Sequence, residues 1–257
     1  MAKIGFGILG AGLVAPFHAK SVRDAKGGAL VAVCDVDKAR ADKFAAEFGV
    51  KTYNELDAML ADPAIGVVNV TTPNHLHHDA VLKCLAAGKH VLCEKPPAMS
   101  LRDTDEMVDA ARAAGLKLGC TVQCRVRRCV QAMKSAIGQG RFGRLLHVDT
   151  YMKWHRPAEY YHMDAWRSSR KSGAGVTVQH AFHYIDLLQY LGGDVRRVDA
   201  RMCNLAHQDV ELEDTLAAFI EYRNGARGVV QASTALWPGT DIRIEINGEN
   251  GTAIRSE

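Results

Sequence analysis

The segment Gly10-Ala11-Gly12-Leu13-Val14-Ala15 follows directly on the apolar run Ile4 to Leu9, and a second apolar run, Ala29 to Cys34, closes on Asp35. No other feature constrains the chain as much. The runs read as buried strands and the glycines as a sharp turn into a helix. Gly10 permits the turn, Gly12 lets the backbone approach a pyrophosphate, and Ala15 is small enough for the helix to lie close on the sheet. The unpaired N–H groups and positive dipole end of that helix suit phosphate. Asp35 stands where a carboxylate accepts hydrogen bonds from an adenosine ribose and repels a 2′-phosphate, so the expected dinucleotide is NAD, with NADP disfavoured. Lys38 and Arg40 lie close enough in sequence to help hold a phosphate, against a plainer reading as solvated charges of a surface helix.

With 47% hydrophobic and 24% charged residues, the 257-residue chain has enough material for two domains with separate cores. Its net charge of +3 is scattered, without a basic block, which argues against nucleic acid as a partner. The seven cysteines lack paired framework spacing and point to a reducing compartment, the cytoplasm. Cys120, Cys124 and Cys129 lack Cys-x-x-Cys spacing and read as small buried thiols, and His75, His77 and His78 lack a matching carboxylate or cysteine set, so no metal is expected. Lys3 and the apolar stretch to Ala19 resemble a signal peptide, but the glycine pattern explains them better. No apolar segment is long enough for a membrane span.

From Met1 to Val122 apolar runs alternate with helical periodicity. The expected strands are Ile4–Leu9, Leu30–Cys34, Val67–Val70, His90–Cys93 and Lys117–Gly119; the helices are Leu13–Arg23, Lys38–Phe48, His75–Ala87 and Leu101–Ala114. Gly49, Gly88 and Gly115 stand at left-handed cap positions. This predicts a doubly wound parallel sheet, a Rossmann domain over 1–122. Residues 123–257 read as an α+β domain with helices near Arg127–Gly138 and Val176–Leu191, a strand over Leu145–Lys153, a hairpin signal at Asn224-Gly225, and a strand Asp241–Ile246 with one apolar face. A further strand begins at Thr252 with nothing after it to cap the sheet edge, which reads as C-terminal truncation.

Thr71-Thr72-Pro73-Asn74-His75-Leu76-His77 and Glu94-Lys95-Pro96-Pro97 both follow predicted strands, at the sheet edge where open α/β folds bind ligands. A lysine there, with its pKa lowered by burial or a neighbouring positive charge, can exchange a proton near neutrality. Downstream, Gln179, His183 and Asp186 share one polar stripe of a helix, beside an apolar stripe of Val178, Phe182 and Ile185.

Taken in order, Gly10-x-Gly12-x-x-Ala15, Thr72-Pro73-Asn74, Ala87-Gly88-Lys89-His90-Val91 and Glu94-Lys95-Pro96, then Trp166-Arg167, Gly173-Ala174-Gly175 and His183-Tyr184-Ile185-Asp186, resemble the Gfo/Idh/MocA oxidoreductase family. The resemblance covers essentially the whole chain. It implies a Rossmann domain, a C-terminal domain with an open, mostly antiparallel sheet, a homo-oligomer (dimer or tetramer) built through that sheet, and hydride transfer between a nicotinamide and a secondary alcohol of a sugar, nucleotide sugar or cyclitol. Lys95 and His183 become the catalytic candidates, oriented by Glu94 and Asp186 and converging on one coenzyme. Many members carry aspartate or asparagine where this chain has Gln179, which cannot take a proton, so Gln179 is left to position a hydroxyl. The cofactor-binding candidates are Gly10, Gly12, Leu13, Asp35, Arg40, Thr72, Pro73, Asn74, His77, Glu94, Lys95, Gln123, Trp166 and Arg167. The substrate candidates are Lys95, Trp154, Arg156, Tyr160, Gln179 and His183, aromatic faces suiting sugar rings and arginine suiting carboxylate or phosphate. Two alternatives are an NAD-retaining glycosidase or epimerase, and a non-catalytic nucleotide-binding protein.

Overall fold

In the computed structural model, which describes residues 3–256, the chain forms two units, Met1–Thr121 and Val122–Glu257. The alternation of apolar runs and helical segments in the first unit becomes β1 (Ile4–Leu9), α1 (Ala15–Asp24), β2 (Gly28–Cys34), α2 (Lys38–Phe48), β3 (Lys51–Tyr53), α3 (Leu56–Leu60), β4 (Val67–Val70), α4 (His77–Ala86), β5 (His90–Cys93), α5 (Leu101–Ala113) and β6 (Leu118–Cys120). β3 and α3 span three and five residues, too short for a period to show in the sequence. The helix expected from His75 starts later, because a 3₁₀ turn, Asn74–Leu76, follows Pro73 and precedes α4.

The strands lie in the order β3-β2-β1-β4-β5-β6, with parallel pairing throughout. Both faces are covered, as a parallel sheet requires. One carries Ile8 and Val33 against Ala15, Ala19, Phe44 and Phe48 of α1 and α2. The other carries Val68, Val70 and Cys93 against Val81, Leu85 and Met107 of α4 and α5. Sequential order reverses between β1 and β4, so the carboxyl ends of these two strands flank the crevice where such sheets take ligands.

The second unit comprises α6 (Arg128–Gly138), β7 (Leu145–Lys153), α7 (Ala158–His162), α8 (Phe182–Gly192), β8 (Val195–Cys203), β9 (Thr215–Tyr222), β10 (Arg227–Ser233), β11 (Ile242–Gly248) and β12 (Gly251–Ser256). Its six-stranded sheet, ordered β12-β11-β7-β10-β9-β8, is antiparallel except where β7 pairs with β10. Asn224-Gly225 does turn β9 into β10, and Ile242, Ile244 and Ile246 all point into the core. β12 pairs with β11 and forms one edge of the sheet.

The helix expected over Val176–Leu191 is two elements. A π-helical turn, Val176–His180, closed by the Ala181 N–H on the Val176 carbonyl at 2.8 Å, comes before α8. A π turn inserts a residue and shifts the helical phase. The fully buried stripe is Tyr184, Leu187, Leu188 and Leu191, with the half-buried Ile185 packed against the same core, whereas Val178 is 36% exposed. Of the three grouped cysteines, Cys124 is buried but Cys129 is exposed, so the buried-thiol reading fails for Cys129.

Leu187 is fully buried where α8 meets the sheet. Truncation to alanine is expected to cost about 2–5 kcal/mol in urea denaturation, while Val178→Ala stays within about 0.5 kcal/mol. Equal midpoints for the two variants would contradict this account of the α8 core.

Candidate active site

In the first unit the site grows from the ends of β1, β2, β4 and β5. Gly10 holds φ of +96°, and a Cβ there would stand 3.0 Å from the Thr71 carbonyl, so turn and strand neighbour together demand glycine. Gly12 opens onto free space, as close approach of a phosphate requires. The Asp35 carboxylate accepts from the Ala11 amide at 2.7 Å and the Asp37 amide at 2.8 Å, tying the end of β2 to the glycine loop. Leu13 is 60% exposed beside that loop. Arg40 is exposed on α2, and its bond to Asp37 holds that carboxyl below its usual range.

Thr71 Oγ1 donates into the paired carbonyls of Leu9 and Gly10 at 3.0 and 2.7 Å, which fastens the end of β4 to the glycine turn. Next along, Thr72 Oγ1 is buried and has no hydrogen-bond partner. Asn74 is buried as well. His77, wholly buried, lies between two loops, its ring nitrogens 2.7 Å from the Pro96 carbonyl and 2.9 Å from the Thr72 carbonyl. Burial pushes its imidazole below the ordinary range, although both carbonyls oppose the shift. His77 thus joins the two loops to each other. His78 departs from the expectation, for its ring lies with the Asp103 and Glu106 carboxylates, ligand atoms within 4.8 Å of one another, in an exposed cluster on α4 and α5.

Glu94 ends β5. Its Oε2 accepts from the Lys95 amide at 3.1 Å, and its Oε1 lies 2.9 Å from Nε2 of His18 on α1. His18 Nδ1 in turn lies 3.1 Å from the Asn69 amide nitrogen on β4. Glu94 thus holds the main chain of Lys95, and His18, a residue that sequence reasoning missed, holds Glu94. Burial would raise the Glu94 carboxyl, but the His18 bond and charge, the Lys95 amide and the Lys95 ammonium outweigh it and keep it below the usual range.

These residues fit a dinucleotide. The orphaned Thr72 hydroxyl needs a polar partner, and the open space at Gly12 lets an anion come up to the backbone of the glycine loop. The buried Asp35 carboxylate supplies acceptors of the kind a ribose needs.

The second unit gathers the remaining candidates. Gln123, in the 3₁₀ turn Gln123–Val126, places its amide nitrogen 3.2 Å from Nε2 of His183. Asp186, expected to orient His183, is engaged by Arg125. Its carboxylate is held by a two-pronged contact from Arg125, at 2.8 and 2.5 Å, because the guanidinium fork matches the carboxylate better than a single ring nitrogen does. Gln179 sits in the π turn, its amide bonded to the Gly175 carbonyl, rather than one helical turn before His183 on a continuous helix. Gly173 has backbone so close that a Cβ would stand 2.2 Å from the Trp166 carbonyl, which accounts for the glycine.

An aromatic and basic cluster surrounds Tyr160. The Arg167 guanidinium lies 4.9 Å from the Tyr160 ring centre and 4.6 Å from that of Trp166, and bonds the Tyr160 hydroxyl and Asp164. Trp166 and Arg167, expected at the cofactor, thus pack with a substrate candidate. Arg156 lies 4.9 Å from the Trp154 ring centre and 5.1 Å from that of Tyr160, with Nε buried and lacking a hydrogen-bond partner. His180, which sequence reasoning also missed, is buried against Trp154 and Tyr160. Behind the cluster, His207 joins the buried Asp214 carboxylate at 2.9 Å to the Arg156 carbonyl at 2.8 Å.

Residues 4–122 match the family model described as oxidoreductase family, NAD-binding Rossmann fold, and residues 130–254 match the Gfo/Idh/MocA C-terminal domain. A 1,5-anhydro-D-fructose reductase of Ensifer adhaerens is 31% identical over 253 residues, covering 97% of this chain and 74% of that protein. A myo-inositol 2-dehydrogenase of Thermotoga maritima is 28% identical, covering 95% of this chain and 73% of its own length. The solved structure of the WlbA dehydrogenase of Bordetella pertussis, in complex with NADH and UDP-GlcNAcA, superposes with a TM-score of 0.95 at 34% identity, over 99% of this chain and 78% of that one. With both halves matched, the chain belongs to the Gfo/Idh/MocA family of oxidoreductases, and its first unit is that family's NAD-binding Rossmann fold.

Proposed function

We propose that this protein is an NAD-dependent oxidoreductase acting on a secondary alcohol of a sugar, nucleotide sugar or cyclitol. Lys95 carries the reading. It follows β5 at the carboxyl edge of the parallel sheet, the edge that also bears the glycine loop, with its main chain held by the largely buried Glu94 carboxylate. The relatives named as reductases and dehydrogenases of sugars and cyclitols support the same chemistry. When bound, NAD supplies the hydride acceptor. In this reading Lys95 donates a hydrogen bond to the substrate oxygen and polarises it, His183 exchanges the hydroxyl proton, and Gln179 positions a hydroxyl, having no proton-accepting group of its own.

Arg156 refines the substrate class. Its guanidinium is stacked on Trp154 and Tyr160 with Nε unbonded, and among the described residues no carboxylate pairs with it, so a carboxylate or phosphate on the substrate fits this subsite. The bound UDP-GlcNAcA of the WlbA complex supports a nucleotide sugar or other anionic sugar here.

We also infer a homo-oligomer through the sheet face turned away from α8. Tyr151, Phe219 and Val229 lie on that face, with Phe219 41% exposed and Asp199, Arg201 and Arg243 around them. Among the described residues no helix is long and apolar enough to cross a membrane, and with the free cysteines this supports a cytoplasmic protein.

Lys95→Met is expected to lower kcat by about 10²–10⁴-fold on any substrate found in a panel of polyols and sugar nucleotides, with NADH affinity, read by fluorescence, held within about twofold. Wild-type turnover in that variant would remove Lys95 from the chemistry. Arg156→Met should raise KM by about 10–100-fold for an anionic sugar and leave a neutral polyol unaffected; an equal change for both would refute the anion subsite. In light scattering after size exclusion, Phe219→Asp should convert the oligomer to monomer, and an unchanged mass would place the interface elsewhere.

A further inference from the structure

We propose that His18 is a positioning residue for the reaction: it fixes the Glu94 carboxylate, and through it the main chain of Lys95, with the Asn69 amide holding the other side of the imidazole. The catalytic consequence rests on the oxidoreductase reading above; the His18–Glu94 linkage does not.

The geometry is a chain of buried contacts running across three elements. His18 lies on α1, the helix that opens from the glycine loop, and is 8% exposed; Glu94 ends β5 and is 13% exposed; Asn69 is on β4 and 1% exposed. As placed, the Asn69 amide donates to Nδ1 and the ring donates from Nε2 to Glu94 Oε1, which defines a neutral imidazole. That orientation leaves Asn69 Oδ1 buried without a hydrogen-bond partner. Turning the amide over would set Oδ1 against Nδ1 and satisfy a doubly protonated ring, bonded to Asn69 on one side and to the carboxylate on the other. The site therefore accepts His18 in either charge state with Glu94 still gripped.

Other groups bear on Glu94 as well. Lys95 contributes its amide and its ammonium, and His77 on α4 and the Cys93 thiol, which burial above all and also the Glu94 charge push up, sense that charge. None of these replaces the His18 donor. Without it the carboxylate keeps the Lys95 amide but loses a charge-assisted bond in a buried place, where desolvation favours the protonated acid. A Glu94 that protonates more readily presents less negative charge to Lys95 and loosens its hold on the Lys95 main chain. The sign follows: a carboxyl held low contributes stability above its unfolded pKa, and that contribution is lost as pH falls through the folded value. Removing His18 moves this loss to higher pH.

The test compares His18→Leu, which removes the donor, with His18→Gln, whose amide can donate from nearly the same place. The Glu94 carboxyl resonance, identified by its absence in Glu94→Gln, is titrated by ¹³C NMR, a readout that needs no substrate. Wild type and His18→Gln should titrate below about 4.3, the ordinary glutamate value, and His18→Leu at least about one unit higher than wild type. The acid limb of kcat/KM should move up with it, NADH affinity should stay within about twofold, and His18→Leu should add nothing in a Glu94→Gln background. An unmoved Glu94 titration in folded His18→Leu, or a shift in His18→Gln as large as in His18→Leu, overturns the proposal. A shifted carboxyl in a protein that oxidises nothing in the substrate panel upholds the linkage and overturns the oxidoreductase reading.

Discussion

Parallel pairing of β1 with β2 on one side and β4 on the other is the constraint on which the first unit's chemistry depends. Because all six strands run the same way, every strand ends at one edge, and residues distant in sequence are delivered there together: Gly10, Asp35, Thr71 and Glu94 each stand at the first position past a strand or next to it. The reversal of order between β1 and β4 leaves a gap at that edge, with no crossover helix to fill it. An antiparallel arrangement would have sent alternate loops to opposite ends and dispersed the candidate residues.

Turns at such an edge are held by polar side chains, not by apolar packing. Asp35 grips two amides, Thr71 two carbonyls, His77 lies between the Thr72 and Pro96 carbonyls, and Glu94 grips the Lys95 amide. Asp35, Thr71 and His77 are buried and Glu94 nearly so, so losing one partner costs about 1–3 kcal/mol of unmet hydrogen bonding. That is the same order as the strain released by a loop that relaxes, which is why such contacts fix loop geometry where hydrophobic burial, being non-directional, would not. In the second unit the analogous work falls to Asp214 and His207 behind Arg156, and to Arg125 on Asp186.

Local signals carried far in this sequence. The glycine turn, the capping glycines, the β5 lysine and the alternation in β11 all express rules spanning a few residues, and the structure has them where those rules put them. Long-range side-chain contacts were a different matter. His18 and Glu94 are separated by most of the Rossmann unit, and neither has a periodic or spacing signature that names the other. The Arg125 contact to Asp186 was equally hidden, since only the fold brings the start of the second unit against α8. The π turn at Val176–His180 defeated the helical phase for a local reason: one extra residue in a turn leaves apolar content intact while rotating everything after it. His180, buried among aromatics, was illegible for the same cause.

The central claim is that a C–H hydrogen of a sugar-like alcohol leaves for the nicotinamide bound at this sheet edge. Its most direct test follows label: a substrate deuterated at the reacting carbon is incubated with the enzyme and NAD, and cofactor and sugar are recovered and read by mass spectrometry. The account predicts deuterium on the nicotinamide with a primary isotope effect on turnover. Product formed with no label ever reaching the cofactor, and no isotope effect, would contradict it.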